Sequence, residues 1–149
     1  VLKGVLADEG PYAVSDQVKL GKSLTDICPY GSAWSGMLAS IIDTTNVEMI
    51  LRLDCNATDF FGNRNFPTYL YFNPFPESRQ IEYNAGNQPV QLYDLVNRQF
   101  IPGVFQGKFN LEIPASNVRL LVQVPAGAKP TWKGRQLLVQ GKVIDYRAK

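Results

Sequence analysis

Histidine is absent from the 149 residues of this sequence, and cysteine occurs only twice, as Cys28 and Cys55. Without histidine the chain cannot build a Ser–His–Asp or Cys–His catalytic group, bind zinc through imidazole, or use imidazole as an acid or base near neutral pH. Two cysteines are too few for a disulfide framework or a zinc site. We therefore expect no metal and no cofactor, and any catalysis would depend on carboxylates, lysine, tyrosine or a group of the substrate.

Long apolar runs and a strong net charge are also lacking. No run approaches the roughly 18 residues of a membrane span, so we expect a soluble chain without a membrane-spanning segment. The 15 basic and 13 acidic side chains leave a formal charge of +2. Because the basic residues do not cluster along the sequence, we expect no nucleic-acid partner. With 45% hydrophobic and 19% charged residues, the composition is that of one globular domain of ordinary size.

The two cysteines leave two interpretations open. They could form a disulfide, but spacing alone does not show that their side chains face each other. Cys55 ends the apolar face of an alternating segment, which favours a buried free thiol. The sequence starts at Val1 and shows no signal-like region. We therefore expect a processed product, a recombinant piece or part of a longer protein.

The first part of the chain, residues 1–46, has the pattern of an N-terminal extension with one helix. Five apolar residues recur at the spacing of one helical stripe, namely Trp34, Met37, Leu38, Ile41 and Ile42. This spacing predicts a helix over about 33–43, which the turn-forming residues 43–46 end.

From Val47 onward the apolar residues recur at every second position, the period of a β-strand. One face of the first such segment is predicted to lie in the core, and it consists of Val47, Met49, Leu51, Leu53 and Cys55. Further strands are predicted at 68–73, 79–83, 90–96, 108–113, 117–124, 136–139 and 142–146. Short strands separated by Pro, Gly and Asn turns are typical of a β-sandwich or barrel. We predict a mainly β protein, with an antiparallel β-sandwich over 47–149.

Acidic residues are the first candidates for chemistry. Asp54, Asn56, Thr58 and Asp59 resemble the start of a calcium-binding EF-hand loop, but the sixth position is Asp59 instead of Gly. The EF-hand is thereby excluded, and we interpret these residues as a turn that binds its own backbone. None of the 13 acidic residues lies in a motif for an acid–base pair. We assign no catalytic residue.

Aromatic residues are the better candidates for contact with a ligand, because a planar ring can stack on a sugar while its polar tip stays in water. Trp132 lies in the turn-rich segment 129–134, where we expect it to be exposed. Tyr69 and Tyr71 share one face of a predicted strand, and Trp34 lies on the helical stripe. Packing between layers is the alternative role for all four, and it is favoured for Trp34.

Several segments carry recurring strand and turn motifs. Residues 93–100 read YDLVNRQF, residues 111–115 read LEIPA, and residues 118–127 read VRLLVQVPAG. They follow FPTYLYFNP at 66–74 and YGSAWSG at 30–36. Together these motifs resemble the C-terminal β-sandwich, and the closing helix before it, of bacterial glycoside hydrolases whose catalytic domain is a helical toroid. Arg98 stands where this pattern has Gly, so we expect the hairpin to turn differently.

The resemblance implies a non-catalytic accessory part of a carbohydrate-active protein, in which residues 1–46 end a catalytic domain. No catalytic residue carries over, because none of the matching motifs is catalytic. The resemblance also implies an adjoining catalytic domain, a polysaccharide or oligosaccharide ligand, and an extracellular or periplasmic location in bacteria. Three alternatives stay open: a free-standing carbohydrate-binding module, a carboxylate-only glycoside hydrolase, and a structural interaction domain.

Overall fold

The computed structural model describes residues 39–57 and 66–147. The chain divides after Ser40 into two compact units, and the fold described here is that of the second unit, which begins at Ile41. Residues 39–41 are helical, and the first strand starts at Ile42. Most of the helix predicted at 33–43 thus lies outside the described residues, and its last turn ends earlier than expected.

Eleven strands follow in chain order in the described part. They are β1 (Ile42–Thr44), β2 (Leu51–Asp54), β3 (Thr68–Phe72), β4 (Arg79–Asn84), β5 (Val90–Asp94), β6 (Gln99–Phe100), β7 (Lys108–Ile113), β8 (Val118–Pro125), β9 (Pro130–Lys133), β10 (Gln136–Val139) and β11 (Lys142–Asp145). The mainly β class and the strands predicted from residue 68 onward are confirmed. Sequence analysis missed three short strands, namely β1, β6 and β9. Across residues 39–57 and 66–147, no helix is long and apolar enough to cross a membrane.

The strands form three antiparallel sheets. The largest has the order β1-β2-β3-β8-β5-β6, while β11-β10-β9 and β4-β7 form smaller sheets. Strand β8 is central, because β3 pairs with it on one side and β5 on the other. Strand β1 pairs with β2, so the sandwich includes three residues that the sequence places in the N-terminal extension. The idea that residues 1–46 end a catalytic domain stays a prediction.

The two faces of the six-stranded sheet are covered by different small sheets. Side chains alternate along a strand, so Leu121 and Val122 of β8 point to opposite faces. Leu121 belongs to a core cluster shared with β4 and β7, and Val122 to a cluster shared with β10 and β11. We call these the first face and the second face. The antiparallel β-sandwich predicted from the sequence is confirmed, with a third layer on the second face.

Tyr83 of β4 lies at the centre of the core on the first face. Its ring centroid is 6.0 Å from that of Tyr71 and 5.3 Å from that of Phe109. Its hydroxyl donates to the side-chain oxygen of Gln123 at 3.2 Å, and the Gln123 amide donates to the Ala85 carbonyl at 2.8 Å. Burial raises the pKa of Tyr83 well above its usual range. The polar atoms in this layer thus have partners while the rings pack.

The core on the second face depends on an irregularity between β10 and β11. Leu137 pairs with Asp145 while Leu138 pairs with Val143, so Ile144 is an extra residue in β11. Such a bulge redirects side chains, and here it allows both Ile144 and Asp145 to be buried. Ile144 joins the apolar cluster of the second face, and Asp145 accepts a hydrogen bond from Tyr93.

The segment around β2 does not bury the face that its alternation predicts. Ile50 is fully buried, whereas Met49 is 67% exposed and Leu51 39% exposed. Met49 has a φ of 68°, and this left-handed residue breaks the alternation before β2 begins. Cys55 lies in the turn after β2, where its free thiol is exposed. The prediction that Cys55 is buried is therefore wrong, while Cys28 lies outside the described residues.

Candidate functional site

The predicted ligand-contacting tyrosines lie in or against the core. Tyr71 is 3% exposed and packs in the cluster of the first face. Tyr69 is half-buried against the same cluster, with its ring edge-on to Tyr83 and the Arg52 guanidinium 5.0 Å from its centroid. Packing therefore accounts for both tyrosines, and Tyr71 offers no free ring face. Trp34 lies outside the described residues.

Trp132 is the exposed aromatic residue that the sequence singles out. It lies on β9, at the edge of the three-stranded sheet, and is 59% exposed. Its backbone pairs with Leu137 of β10, which is buried. This pairing places Trp132 on a strand within the segment that the sequence indicates to be rich in turns. An exposed indole on a paired strand is a suitable platform for stacking.

Basic residues lie at the same end of the three-stranded sheet as Trp132. Strand β9 ends at Lys133, which pairs with Gln136 across a tight turn made by Gly134 and Arg135. Gly134 has a φ of 58°, a conformation that favours glycine in such hairpins. On the other side of β10, Leu137 also pairs with Asp145, so the residues after β11 reach the same end. We call this set the hairpin tip, and it consists of Trp132, Lys133, Arg135, Tyr146 and Arg147.

The hairpin tip is electropositive. All five of its residues are exposed, Tyr146 to 70%. Within residues 39–57 and 66–147, none of Lys133, Arg135 and Arg147 forms an ion pair. Residues 126–147 contain five basic side chains and one acidic side chain, the buried Asp145. The expectation that nucleic acid is not a partner stays a prediction.

Sequence analysis missed Lys133, Arg135, Tyr146 and Arg147. A signal for the first two was present, because residues 129–135 read KPTWKGR, with three basic residues around one tryptophan. No local signal indicated Tyr146 and Arg147, because the pairing of β10 with β11 brings them to the hairpin tip.

Asp94, one of the two buried carboxylates among the residues that the structure describes, stabilises a turn. Its Oδ1 accepts from the backbone of Val96 at 2.9 Å, and its Oδ2 accepts from the Asn97 amide at 2.8 Å and from Arg119 at 2.7 Å. The Asp94 side chain is 1% exposed and that of Arg119 is 19% exposed. Arg119 also donates to the Glu112 carbonyl at 2.8 Å. These bonds explain the motif at 93–100 as a structural hairpin.

Asp145, the other buried carboxylate, is bound in a similar way. Its Oδ2 accepts from the Tyr93 hydroxyl at 3.1 Å, and its Oδ1 accepts from the Arg147 backbone at 2.8 Å. Burial, together with this bond to the carboxylate, raises the pKa of Tyr93 to about 12. Both buried carboxylates therefore stabilise the fold through defined donors.

The turn after β2 resembles a metal-binding loop only in its spacing. Asp54 Oδ1 accepts from the Asn56 backbone at 2.9 Å, and the Asn56 amide donates to the Phe66 carbonyl at 2.8 Å. The interpretation of Asp54 and Asn56 as turn residues is thereby confirmed, while Thr58 and Asp59 lie outside the described residues. Among the residues that the structure describes, no group of three or more Cys, Asp or Glu side chains could hold a metal ion.

A small pocket of about 100 Å³ lies beside this turn. Ligand pockets are typically about 300–1,000 Å³. The lining comprises apolar side chains with one hydroxyl and one amide, from Asn56, Phe66, Thr68, Leu95, Val122, Val143 and Ile144. It is too small for a sugar chain and presents no acid–base group.

An uncharged apolar surface lies on the second face, away from the three-stranded sheet. Ile42 is 38% exposed and Phe72 is 51% exposed. Three half-buried leucines lie on the same face by register, namely Leu53, Leu70 and Leu120. None of the three belongs to either core cluster. With Leu51, we call this set the uncovered apolar face, because no strand in residues 39–57 and 66–147 packs on it. Contiguous apolar patches of this kind often mark contacts with other domains or proteins.

No model of a protein family matches this chain, and no curated protein matches it. One solved structure, alpha-galactosidase I from Mortierella vinacea, is similar to 51% of this chain, with 17% sequence identity and a TM-score of 0.37. The match covers 20% of that protein's own chain.

Proposed function

We propose that the sandwich is an accessory domain of a carbohydrate-active protein and that it contacts glycan through Trp132. The observation that carries the proposal is the exposed indole on a strand whose partner, β10, is anchored in the core. Stacking on a sugar needs an accessible ring, and Trp132 offers one on a strand whose backbone is paired. The resemblance of residues 93–127 to accessory sandwiches supports the same role. The proposal places the protein outside the cell or in the periplasm, where polysaccharides are encountered.

Loss of glycan binding on removal of the indole tests this proposal. The chain is passed over gels containing a panel of neutral and acidic polysaccharides, and retardation is compared for the native protein and Trp132→Ala. We expect the substitution to abolish retardation by whichever glycan binds. Phe72→Ala is the matched control, because Phe72 is also an exposed aromatic residue, 51% exposed, but lies on the six-stranded sheet. Failure of every glycan to retard the native protein would overturn the proposal.

The second part of the proposal is that the uncovered apolar face braces an adjoining catalytic domain of the same polypeptide. Support comes from the composition of this face: Ile42, Leu51 and Phe72 are exposed there, whereas the charged Asp43, Arg52 and Arg119 point to the first face by register. Burial of such a surface against another domain is favourable, at about 25 cal/mol per Å² of apolar area. The sequence resemblance implies that the partner is a helical-toroid domain.

A charged residue on this face tests the bracing role. In the product of the full reading frame, Phe72→Glu is expected to make the two domains unfold in separate calorimetric transitions, because burying an unpaired carboxylate opposes docking. Val104→Glu is the control, since Val104 is 59% exposed in the loop before β7. Unchanged coupling in Phe72→Glu, or a reading frame without a further domain, would refute this part.

A further inference from the structure

The hairpin tip combines two kinds of side chain that a neutral sugar would not need together. Trp132 and Tyr146 offer rings, while Lys133, Arg135 and Arg147 offer cations without an anionic partner in the described part of the chain. Neighbouring strands lie about 4.8 Å apart, so a site reaching from β9 to β11 spans on the order of 10 Å. By register, Trp132 lies on the face of Leu137 and Lys133 on the opposite face, while Arg135 lies in the turn where the two faces meet.

We infer that the ligand of the hairpin tip is an acidic polysaccharide, one that carries carboxylates along its chain. This inference rests on the proposed glycan contact of Trp132 and specifies its chemistry. A sugar ring stacks on Trp132, and the polysaccharide continues around the edge strand β9 at the turn, where carboxylates of neighbouring sugars meet Arg135 and then Lys133. Arginine suits this role because its planar guanidinium can bind a carboxylate through two parallel hydrogen bonds.

The other charged layer of the molecule shows that unpaired cations are not general here. On β4 and β7, Arg79 pairs with Glu77 at 3.2 Å and Lys108 pairs with Glu82 at 2.8 Å. At the hairpin tip, the sole acidic side chain of residues 126–147 is Asp145, which is buried and bound to Tyr93. The positive potential therefore stays available to a ligand.

A nucleic acid is the other polyanion to consider, and the geometry favours it less. Proteins that bind single strands usually combine a basic groove that tracks several phosphates with several stacking rings. The hairpin tip has three cations and two exposed rings at one end of a three-stranded sheet. This size fits a few carboxylates of a glycan better than an extended phosphate backbone.

The test compares polygalacturonate, neutral galactomannan and a single-stranded oligonucleotide as ligands of the whole chain in affinity electrophoresis. We expect polygalacturonate to bind most tightly and to weaken as NaCl is raised from about 25 to 250 mM, because salt screens exposed charges. The double variant Lys133→Gln with Arg135→Gln should weaken this binding about tenfold, the effect of losing two exposed charge contacts. The double variant Arg79→Gln with Lys108→Gln, which loses the same charge elsewhere, should weaken it less than about twofold. Circular dichroism confirms that each variant is folded.

The outcomes separate this inference from the proposed function. Equal binding of galactomannan that is unaffected by the Lys133 and Arg135 substitutions would overturn the acidic ligand and leave the glycan contact intact. No binding of either glycan would overturn both. Tighter binding of the oligonucleotide than of polygalacturonate would assign the hairpin tip to nucleic acid instead. An equal loss of binding in the two double variants would show that net charge, and not the hairpin tip, attracts the polysaccharide.

Discussion

The two small sheets cover opposite faces of the same six-stranded sheet, yet they differ in the exposure of their aromatic residues and in the pairing of their cations. In the β4–β7 layer, Tyr83 is buried at the centre of the core and the exposed cations Arg79 and Lys108 have carboxylate partners. In the β9–β11 layer, Trp132 is exposed and Lys133 has no such partner in the described part. The first layer is therefore self-contained, whereas the second presents groups that a ligand can use.

The difference shows that one layer of a sandwich can serve only to complete the core, while another layer also exposes side chains for binding. A sandwich needs apolar residues on its inner faces and leaves the other positions free. In the β9–β11 layer the inner residues Leu137 and Val139 supply the core, and the edge strand and its turn remain free for function. Substitutions at the edge should therefore affect binding, and substitutions at the inner positions should affect stability.

The largest expected contrast is between Ile81→Ala in the β4–β7 layer and Trp132→Ala in the β9–β11 layer. Ile81 is fully buried, so its truncation should lower the free energy of unfolding by about 2–5 kcal/mol. Trp132→Ala should lower it by less than about 1 kcal/mol, because only an exposed cross-strand contact is lost. Urea unfolding followed by circular dichroism measures both values. Comparable losses in the two variants would mean that Trp132 packs into the fold and is not held for a ligand.

A smaller contrast concerns one tyrosine in the core of each face, Tyr83 on the first face and Tyr93 on the second. Tyr93→Phe removes the donor to the buried Asp145, and should cost about 1.5–3 kcal/mol, since the lost bond involves a charged acceptor. Tyr83→Phe removes a bond to the neutral Gln123 amide, and should cost about 0.5–1.5 kcal/mol. Urea unfolding at neutral pH gives the two values, and an equal cost would show that the charge of Asp145 does not strengthen its bond with Tyr93.

Removal of a tyrosine with a raised pKa also changes how stability depends on pH. The pKa of Tyr93 is raised from its ordinary value of 10.0 to about 12, so the folded protein holds this proton more tightly than the unfolded chain. Its contribution is complete below pH 10 and is lost as the pH rises towards 12. Tyr93→Phe should therefore show a shallower fall in unfolding free energy between pH 10 and 12 than the native protein. Tyr71 and Tyr83, whose pKa values are also raised by burial, contribute to the fall in both proteins.

Periodicity predicted the strands well where both of their ends are marked by turn residues. The segments 79–83 and 108–113 alternate strictly and are closed by Asn, Gly or Pro, and they correspond to β4 and β7. The strands that were missed have only two to four residues, as in β1, β6 and β9. Such short segments show no period, and their pairing partners decide their conformation.

Alternation did not indicate which face of a strand is covered. Leu51 and Leu53 alternate with Arg52 and Asp54 as predicted, but the apolar pair lies on the uncovered apolar face. Coverage depends on where the β9–β11 layer lies, and that position follows from long-range packing. The break at Met49 was equally hidden, because a left-handed conformation at a methionine has no sequence signal.

The motif at 93–100 gave a wrong expectation about its turn. Arg98 replaces the Gly of the resembling pattern, yet it has a φ of 54°, the left-handed conformation that glycine favours. The bonds of Asp94 to the backbone and side chain of the same turn fix this geometry. The hairpin therefore tolerates a less favourable residue instead of turning differently.

The central position of β8 has a consequence for how the chain folds. Both β3 and β5 pair with β8, which comes later in the sequence. The chain between β3 and β8 has 45 residues, and the chain between β5 and β8 has 23. Until residue 125 has left the ribosome, β3 and β5 each have an edge without its final neighbour. Non-local pairing of this kind slows folding, and strand edges that are still unpaired favour aggregation. Assembly of the central sheet should thus be a late event in synthesis. The sheet cannot be completed before β8 is available to pair with both neighbours.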